Sequence, residues 1–174
     1  MDEIDEALEL EVRNKIYGLL KESPGLHFRE IQRRTGMATG SLQYHLDYLQ
    51  RRHLVKQVKD TKFTRFYLIR EGFEEEKEMS LLRQGSLRKI VLFLLTHKKG
   101  NNRQISKAIG LSPSTTSWHL NRLFSEGLVQ KKKRGRKTFF SLVDPERVAR
   151  LLVGYRKSFL DEMVDGFAEI WKEI

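Results

Sequence analysis

The chain of 174 residues repeats itself at an offset of 74 positions. Aligned without a gap, residues 15–68 match residues 89–142 at 15 of 54 positions. Most of the matched positions are apolar residues or glycines, such as Gly36 and Gly110 or Phe66 and Phe140. Self-similarity at one fixed period indicates that a single supersecondary unit has been duplicated. The chain must therefore hold one fold twice.

The second copy predicts the order helix, helix, tight turn, helix and β-hairpin. A buried helix around Ile90 and a short helix ending at Gly110 come first. Ser112 and Pro113 then provide an N-cap and a first-turn proline for the third helix. Residues 128–143 resemble two strands joined by a basic loop. Two helices joined by a glycine turn and followed by a hairpin form a winged helix-turn-helix, whose second helix can enter the major groove.

The predicted fold class is mainly α with small β-hairpin wings, an α+β chain of two tandem winged helix-turn-helix modules and a helical tail. The first copy shows the same order, beginning with an acidic helix from Ile4 to Lys21. The predicted boundaries are 1–72 for the first module with its acidic helix, 73–80 for a linker, 81–143 for the second module with a basic wing, and 144–174 for the tail.

Positive charge is concentrated in one part of the chain. Lys and Arg number 33 against 23 Asp and Glu, a formal net charge of +10. Residues 76–143 hold 15 bases and three acids, whereas residues 1–12 hold six acids and no base. This distribution favours a polyanionic partner for the second module. The 39% of hydrophobic residues argues against a wholly disordered basic chain.

The segments "GLSPSTTSWHLNRL" from Gly110 to Leu123 and "EGLV" from Glu126 to Val129 carry a family resemblance. They resemble the recognition helix and wing entry of ArsR/MarR-type winged helix-turn-helix regulators. The order of two such modules resembles tandem winged-helix regulators known mostly from archaea. The resemblance implies a transcriptional regulator that binds double-stranded DNA. The chain has no cysteine, so it departs from the metal-sensing branch, and release by a metal is not implied.

The helix from Ser112 to Ser125 is the predicted recognition helix of the second module. Its expected buried stripe consists of Thr116, Leu120, Leu123 and Phe124. Short hydroxyls and an amide on the other face suit contact with phosphates and base edges. Trp118 on that face could equally pack against the wing or a partner chain. The candidate DNA contacts are Ser112, Ser114, Thr115, Ser117, Trp118, Asn121 and Arg122.

Six of the seven residues from 131 to 137 are positive. They fall on the predicted hairpin loop, where their mutual repulsion would disfavour a hairpin that meets no polyanion. We expect this wing to contact the DNA backbone or to enter the minor groove. The candidate contacts are Lys131, Lys132, Lys133, Arg134, Arg136 and Lys137.

The first module is the weaker candidate for DNA binding. Gln43 can read adenine, but Asp47 on the same helix repels phosphate, and Asp60 dilutes the charge of the wing. Its alternative role is dimerisation or binding of a protein partner. The candidate DNA contacts are Thr39, Ser41, Gln43, Tyr44, Lys59, Lys62 and Arg65.

No residue pattern indicates catalysis or a cofactor. The sequence has no glycine-rich phosphate loop and no pair of metal-binding histidines at helical spacing. His45 and His119 occupy equivalent positions before a core leucine, and we interpret them as structural. We therefore expect no catalytic residue, no cofactor and no metal, and the sequence identifies no small-molecule ligand.

The tail is an amphipathic helical segment that begins with Asp144 and Pro145 as N-cap and first-turn residues. Ser158 with Asp161 could restart the helix after Tyr155. We expect the apolar stripe to form a dimer interface, joined by the acidic first helix; the alternative is packing on its own modules. The candidate dimerisation residues are Leu152, Tyr155, Phe159, Met163, Phe167, Ile170 and Trp171.

The chain is expected to be a sequence-specific transcriptional regulator that binds double-stranded DNA as a homodimer. Two alternatives remain: a protein-interaction module of a larger assembly, and a non-specific, chromatin-like DNA-binding protein. The acidic N-terminus does not resemble a targeting segment, and no apolar run is long enough to span a membrane. We therefore expect a soluble cytoplasmic protein that is associated with the nucleoid and not with a membrane.

Overall fold

A computed structural model describes residues 10–60, 62–69 and 75–171. The chain divides into two compact units, Met1–Glu76 and Lys77–Ile174. The acidic helix predicted from Ile4 therefore lies outside the described residues before residue 10, as do residues 73 and 74 of the predicted linker. No helix of the described residues is both long and apolar enough to cross a membrane.

The first unit is a helix-turn-helix followed by a hairpin. The turn between its second and third helices is made by Gly36, whose φ of 71° lies in the left-handed region that glycine enters without strain. Its described elements are α1 (Glu11–Glu22), β1 (Leu26–His27), α2 (Phe28–Thr35), α3 (Thr39–Arg51), β2 (Val55–Lys59) and β3 (Thr64–Leu68).

The second unit repeats this order and adds helices at both ends. Gly110, with φ of 71°, makes the equivalent turn. The elements are α4 (Glu76–Leu82), α5 (Gly85–His97), β4 (Gly100–Asn101), α6 (Asn102–Ile109), α7 (Pro113–Ser125), β5 (Val129–Arg134), β6 (Lys137–Leu142), α8 (Pro145–Gly154), α9 (Arg156–Phe159) and α10 (Glu162–Trp171).

The two units share one topology in the register of the repeat. Helices α2 and α3 begin 74 residues before α6 and α7. Each antiparallel sheet has the order short strand, third strand, second strand, and the equivalent pairs Leu26 with Phe66 and Gly100 with Phe140 lie opposite each other. The fold class predicted from the sequence, tandem winged helix-turn-helix modules with small sheets, is confirmed.

Several local predictions need correction. Each sheet has three strands, because a two-residue strand before the second helix also pairs with the hairpin. Residues 76–80, predicted as linker, are helical. Phe124, predicted in the core, is 41% exposed. Position 124 follows the buried Leu123 and is turned about 100° further around the helix, at the edge of its buried face.

The core of each unit is built from the matched apolar positions. In the first unit Ile16, Leu46 and Leu49 are fully buried, and in the second their equivalents Ile90, Leu120 and Leu123 are fully buried as well. Burying side chains of this size stabilises the fold by about 1.5–3 kcal/mol each. Packing therefore explains the apolar identities of the repeat.

The tail folds back on its own unit. Arg88 Nε and Asp161 Oδ2 are 2.7 Å apart, and Arg83 Nη1 donates to Ser158 O at 2.8 Å. Both guanidinium groups lie over the ring of Phe159, at 4.8 and 5.2 Å. The tail forms three helical segments, whereas the sequence suggests two. The break before α10 is made by Leu160, which has a φ of 52°.

This packing corrects part of the dimerisation prediction. Leu152 and Phe159 are 0% and 8% exposed inside their own unit, so they are not available to a partner. Met163 and Ile170 remain 51% and 63% exposed, and Tyr155, Phe167 and Trp171 are half-buried.

Candidate nucleic-acid interface

Helix α7 begins with a well-formed cap. Ser112 Oγ accepts the backbone N–H of Thr115 at 3.1 Å, and Pro113 occupies the first turn, where its missing N–H is not needed. The Ser112 hydroxyl also bonds to the hydroxyls of Ser114 and Thr115, at 3.0 and 2.8 Å. These three predicted contacts are thus exposed but already engaged with one another.

A groove of about 850 Å³ lies between α7 and the wing hairpin of the second unit. The helix contributes an amide and a hydroxyl, the hairpin contributes three lysines, and the first turn of α6 forms the third wall. The lining residues are Asn101, Asn102, Arg103, Gln104, Ser117, Asn121, Lys131, Lys133, Lys137, Thr138 and Phe140. Five predicted DNA contacts therefore lie together here: Ser117, Asn121, Lys131, Lys133 and Lys137.

The first turn of α6 is a wall of this groove that the sequence interpretation missed. Asn102 Nδ2 donates to Ser117 Oγ at 2.8 Å and to Pro113 O at 2.9 Å, which fixes α6 against α7. Asn101 and Gln104 form a reciprocal capping box. The identity of Arg103 with Arg29 in the repeat was the available signal, because both residues are exposed and no core packing explains the match.

The groove is strongly positive. Within the described part of the chain, none of Arg103, Lys131, Lys133 and Lys137 has an ion pair. Lys131 Nζ lies 4.2 Å from the centroid of the exposed Phe124 ring, a favourable contact between a cation and an aromatic ring. Four uncompensated cations in one concavity attract a polyanion.

The remaining predicted contacts of the second unit lie elsewhere. Trp118 is 60% exposed and meets the ring of His119 edge-on at 5.0 Å. Arg122 is half-buried and donates to Gln84 Oε1 at 2.8 Å, so it serves its own unit, which corrects its prediction as a DNA contact. The exposed Lys132, Arg134 and Arg136 do not line the groove.

The equivalent surface of the first unit is balanced in charge. Glu30 and Asp47 stand where the second unit has Gln104 and Asn121. Gln43 Nε2 donates to Asp47 Oδ1 at 2.8 Å, so the amide predicted to read a base is held by a carboxylate. The ring of His27 stacks on Phe63 with centroids 4.6 Å apart. Phe63 is the residue that corresponds to Lys137 of the second unit.

The predicted contacts of the first unit divide into exposed and internal residues. Arg65 is 3% exposed, pairs with Asp60 Oδ2 at 3.1 Å and donates to Gly25 O at 2.9 Å. It is a structural residue, and its prediction as a DNA contact is wrong. Thr39 Oγ1 accepts from Gln32 Nε2 at 2.8 Å. The other predicted contacts are exposed: Ser41, Tyr44, Lys59 and Lys62.

His45 and His119 are equivalent core residues. Each is 9% exposed, and the Nδ1 atom of each is buried without a hydrogen-bond partner among the described residues. Burial lowers the pKa of both rings below the ordinary value of 6.5, and Arg13 and Arg122 respectively lower it further. Both imidazoles are therefore neutral at pH 7. No group of three potential metal ligands occurs in the described ranges.

Comparisons with known proteins agree with the fold of both units. Residues 10–79 match a family model described as an N-terminal HTH domain, and residues 85–131 match the model of the bacterial regulatory protein arsR family. The first match covers the first unit, and the second extends from α5 into β5.

A curated relative covers most of the chain. It is the uncharacterized HTH-type transcriptional regulator MJ1398 of Methanocaldococcus jannaschii, 24% identical over 131 residues. The match spans 75% of this chain but 33% of the relative, so the chain corresponds to about a third of that protein. The crystal structure of ScpB from Mycobacterium tuberculosis aligns over 87% of this chain and 97% of its own, at 14% identity. Its TM-score of 0.31 is too low to carry a functional conclusion.

The fold and the two domain matches define the class of the chain. It carries two winged helix-turn-helix domains in tandem, and these domains resemble those of DNA-binding regulators. The second domain matches the arsR family and holds the positive groove.

Proposed function

We propose that the protein is a sequence-specific transcriptional regulator that binds double-stranded DNA mainly through its second unit. The observation that carries this proposal is the positive groove between α7 and the hairpin. It combines four cations, none of which has an ion pair among the described residues, with the amide and hydroxyl groups of Asn121 and Ser117. Cations provide affinity for phosphates, whereas amides discriminate between base edges.

The side chains divide into two roles. Asn121 and Ser117 lie on the groove side of α7 and would contact base edges when that helix enters the major groove. Lys131, Lys133 and Lys137 on the hairpin, with Arg103 at the start of α6, would bind phosphates on either side. A protein of this kind acts on the nucleoid, which places it in the cytoplasm.

The first unit is proposed to support the complex without reading bases. Its reading surface carries Glu30 and Asp47, which oppose phosphate binding, and Arg65 is internal. The division into two modules and a tail that the sequence predicts is part of this proposal. One boundary moves: the second module begins at Lys77, where the second compact unit begins, and not at residue 81.

We further propose that two copies associate through the last helix. A groove of about 290 Å³ between α10 and helices α5 and α6 is lined by Met163, Phe167 and Ile170. Exposed apolar side chains around a groove suit a second copy of the same surface. Replacing Met163 and Ile170 with Glu should convert a dimer to a monomer in sedimentation; a wild-type chain that already sediments as a monomer would rule out this association.

The function can be tested by the salt dependence of duplex binding. The variant Lys131→Gln/Lys133→Gln removes two groove cations, and Lys59→Gln/Lys62→Gln removes the same charge from the first wing. In the first variant, the slope of log affinity against log salt concentration should flatten by about 0.9 for each phosphate that is no longer neutralised. The second variant should change this slope much less.

Two results would lead to different conclusions. Equal weakening in both variants would show that the second unit is not the main binding surface. A chain that binds neither duplex DNA nor heparin and co-purifies with a protein partner would favour the alternative of a protein-interaction module. Specific binding is distinguished from chromatin-like coating by competition with bulk genomic DNA.

A further inference from the structure

The wing hairpin of the second unit carries cations on both of its faces. Successive side chains of a strand point to opposite faces, so Lys131 and Lys133 face the groove while Lys132 and Arg134 face away from it. Lys98 and Lys99, in the turn before β4, lie on that second side. These four residues line a concavity of about 160 Å³ together with Phe139, Phe140 and Ser141, and we call this surface the outer basic face.

The turn that contributes two of these lysines is held firmly against the hairpin. Gly100 lies opposite Phe140 in the sheet. A Cβ atom at Gly100 would lie 2.6 Å from Phe93 Cε1 and 3.1 Å from Ile105 Cγ1, so only glycine fits. Lys98 adopts a φ of 63°, a conformation that non-glycine residues rarely enter. The backbone position of the two lysines is thus built into the local fold.

The first unit provides an internal comparison, because it has the same hairpin with this face closed. The residues equivalent to Phe139 and Ser141 are Arg65 and Tyr67, which are both buried. Arg65 donates to Gly25 O at 2.9 Å and pairs with Asp60, the equivalent of Arg134. A Cβ atom at Gly25 would lie 2.8 Å from Tyr67 Oη.

The second unit therefore lacks the two groups that cover this face, and it carries cations at four other positions around it. Pro24, Gly25, Val58 and Asp60 of the first unit correspond to Lys98, Lys99, Lys132 and Arg134. Within the residues that the structure describes, none of these four cations has an ion pair. An anion bound between them would relieve their mutual repulsion.

We propose that the outer basic face is a second phosphate-binding surface, which engages a phosphodiester backbone while the groove on the other side of the hairpin holds its own DNA. This inference rests on the proposed function of the groove. Four cations on one small concavity suit several neighbouring phosphates of a continuous backbone. The phosphates come either from the same duplex, beyond the wing, or from a second duplex that the protein bridges.

The test uses the full chain with three matched double substitutions. Lys98→Gln/Lys99→Gln alters the outer basic face, Lys131→Gln/Lys133→Gln alters the groove, and Lys107→Gln/Lys157→Gln removes two exposed charges elsewhere in the unit. Affinity for a fluorescent mixed-sequence duplex is measured over a range of salt concentrations, after circular dichroism has established that each variant is folded. A bead-bound duplex carrying the protein is then offered a labelled second duplex.

The outer variant should bind more weakly than the control, with a salt slope flattened by about 0.9 for each phosphate that is no longer neutralised, or should fail to capture the second duplex. If the outer variant binds long duplexes more weakly but binds short duplexes normally, the phosphates on the outer basic face belong to the duplex that the groove holds. Failure of capture with unchanged affinity identifies a second duplex. If the groove variant is impaired while the outer variant equals the control in both measurements, the outer basic face is not a binding surface and the proposed function stands. If no variant differs from the wild type, both proposals are wrong.

Discussion

Ser112 shows how one hydroxyl on the candidate interface is committed to the fold. It accepts the N–H of Thr115 at the start of α7, at 3.1 Å. Replacing a serine cap with alanine costs about 1 kcal/mol, because a backbone donor is left without its partner. The exposed Ser114, two residues away, does not cap the helix.

We therefore expect Ser112→Ala to lower the free energy of unfolding by about 1 kcal/mol. Ser112→Asn should retain most of the stability, since Asn caps equally well, and Ser114→Ala serves as the control. Chemical denaturation measures all three. Equal stability of Ser112→Ala and Ser114→Ala would show that the cap contributes nothing.

The buried histidines should make stability depend on pH. The folded state lowers the pKa of His45 and His119 below 6.5, so the unfolded chain binds protons more readily. The contribution of these two rings to the free energy of unfolding should therefore be complete above pH 6.5. The free energy of unfolding should fall as the pH drops below this value. This pH dependence can be measured as the difference between the denaturation midpoints at pH 7.5 and pH 5.5.

The double variant His45→Gln/His119→Gln should show a smaller difference between the two pH values, whatever its absolute stability. His53→Asn is the control, because His53 is exposed and Asn tolerates its φ of 55°. An unchanged pH dependence in the double variant would mean that these rings are not its source.

Single residues were the least predictable part of the molecule from sequence alone. Arg65 and Arg122 have the charge of DNA contacts, but their acceptors, Gly25 O and Gln84 Oε1, lie 40 and 38 residues away. No local pattern reports such a partner. The capping residues Ser112 and Asp144 could be predicted because their acceptor role is local.

The elements of the fold were largely predictable, because the repeat and the glycine turns constrain them. Helices α3 and α7, with the hairpins after them, follow from apolar periodicity, and Gly36 and Gly110 occupy the expected turns. The two-residue strands β1 and β4 could not be predicted, because two residues carry no periodicity. Their pairing depends on β3 and β6, about 40 residues later.

Strand β4 provides a prediction at this scale. Gly100→Ala should lower the free energy of unfolding by about 1–3 kcal/mol, because the new Cβ would clash with Phe93 and separate the short strand from the hairpin. Gly166→Ala in α10 of the same unit should have the opposite sign, raising it by about 1 kcal/mol, because open space surrounds Gly166 in a helix interior. Calorimetry measures both variants, and a neutral Gly100→Ala would contradict the described packing.

The whole molecule combines two copies of one fold with different surfaces. The core positions match between the units, but the second copy carries Gln104 and Asn121 where the first carries Glu30 and Asp47. Among the described residues, the groove cations of the second copy have no ion pair, whereas Arg65 of the first is buried against Asp60. The net charge of +10 predicted a polyanionic partner. The choice of the second copy as the candidate binding surface followed from the distribution of charge along the chain. The division of the wing into an inner and an outer face required the structure.

The most direct test of the central claim is selection of bound fragments from a random duplex pool, with the wild type and with Asn121→Ala. The wild type should enrich one motif, made of two half-sites if the chain dimerises. Asn121→Ala should relax the preference at one position of each half-site, at a cost of about 1–3 kcal/mol for the preferred base. A wild-type pool indistinguishable from the input, or the same motif selected equally well by Asn121→Ala, would contradict sequence reading by the second unit.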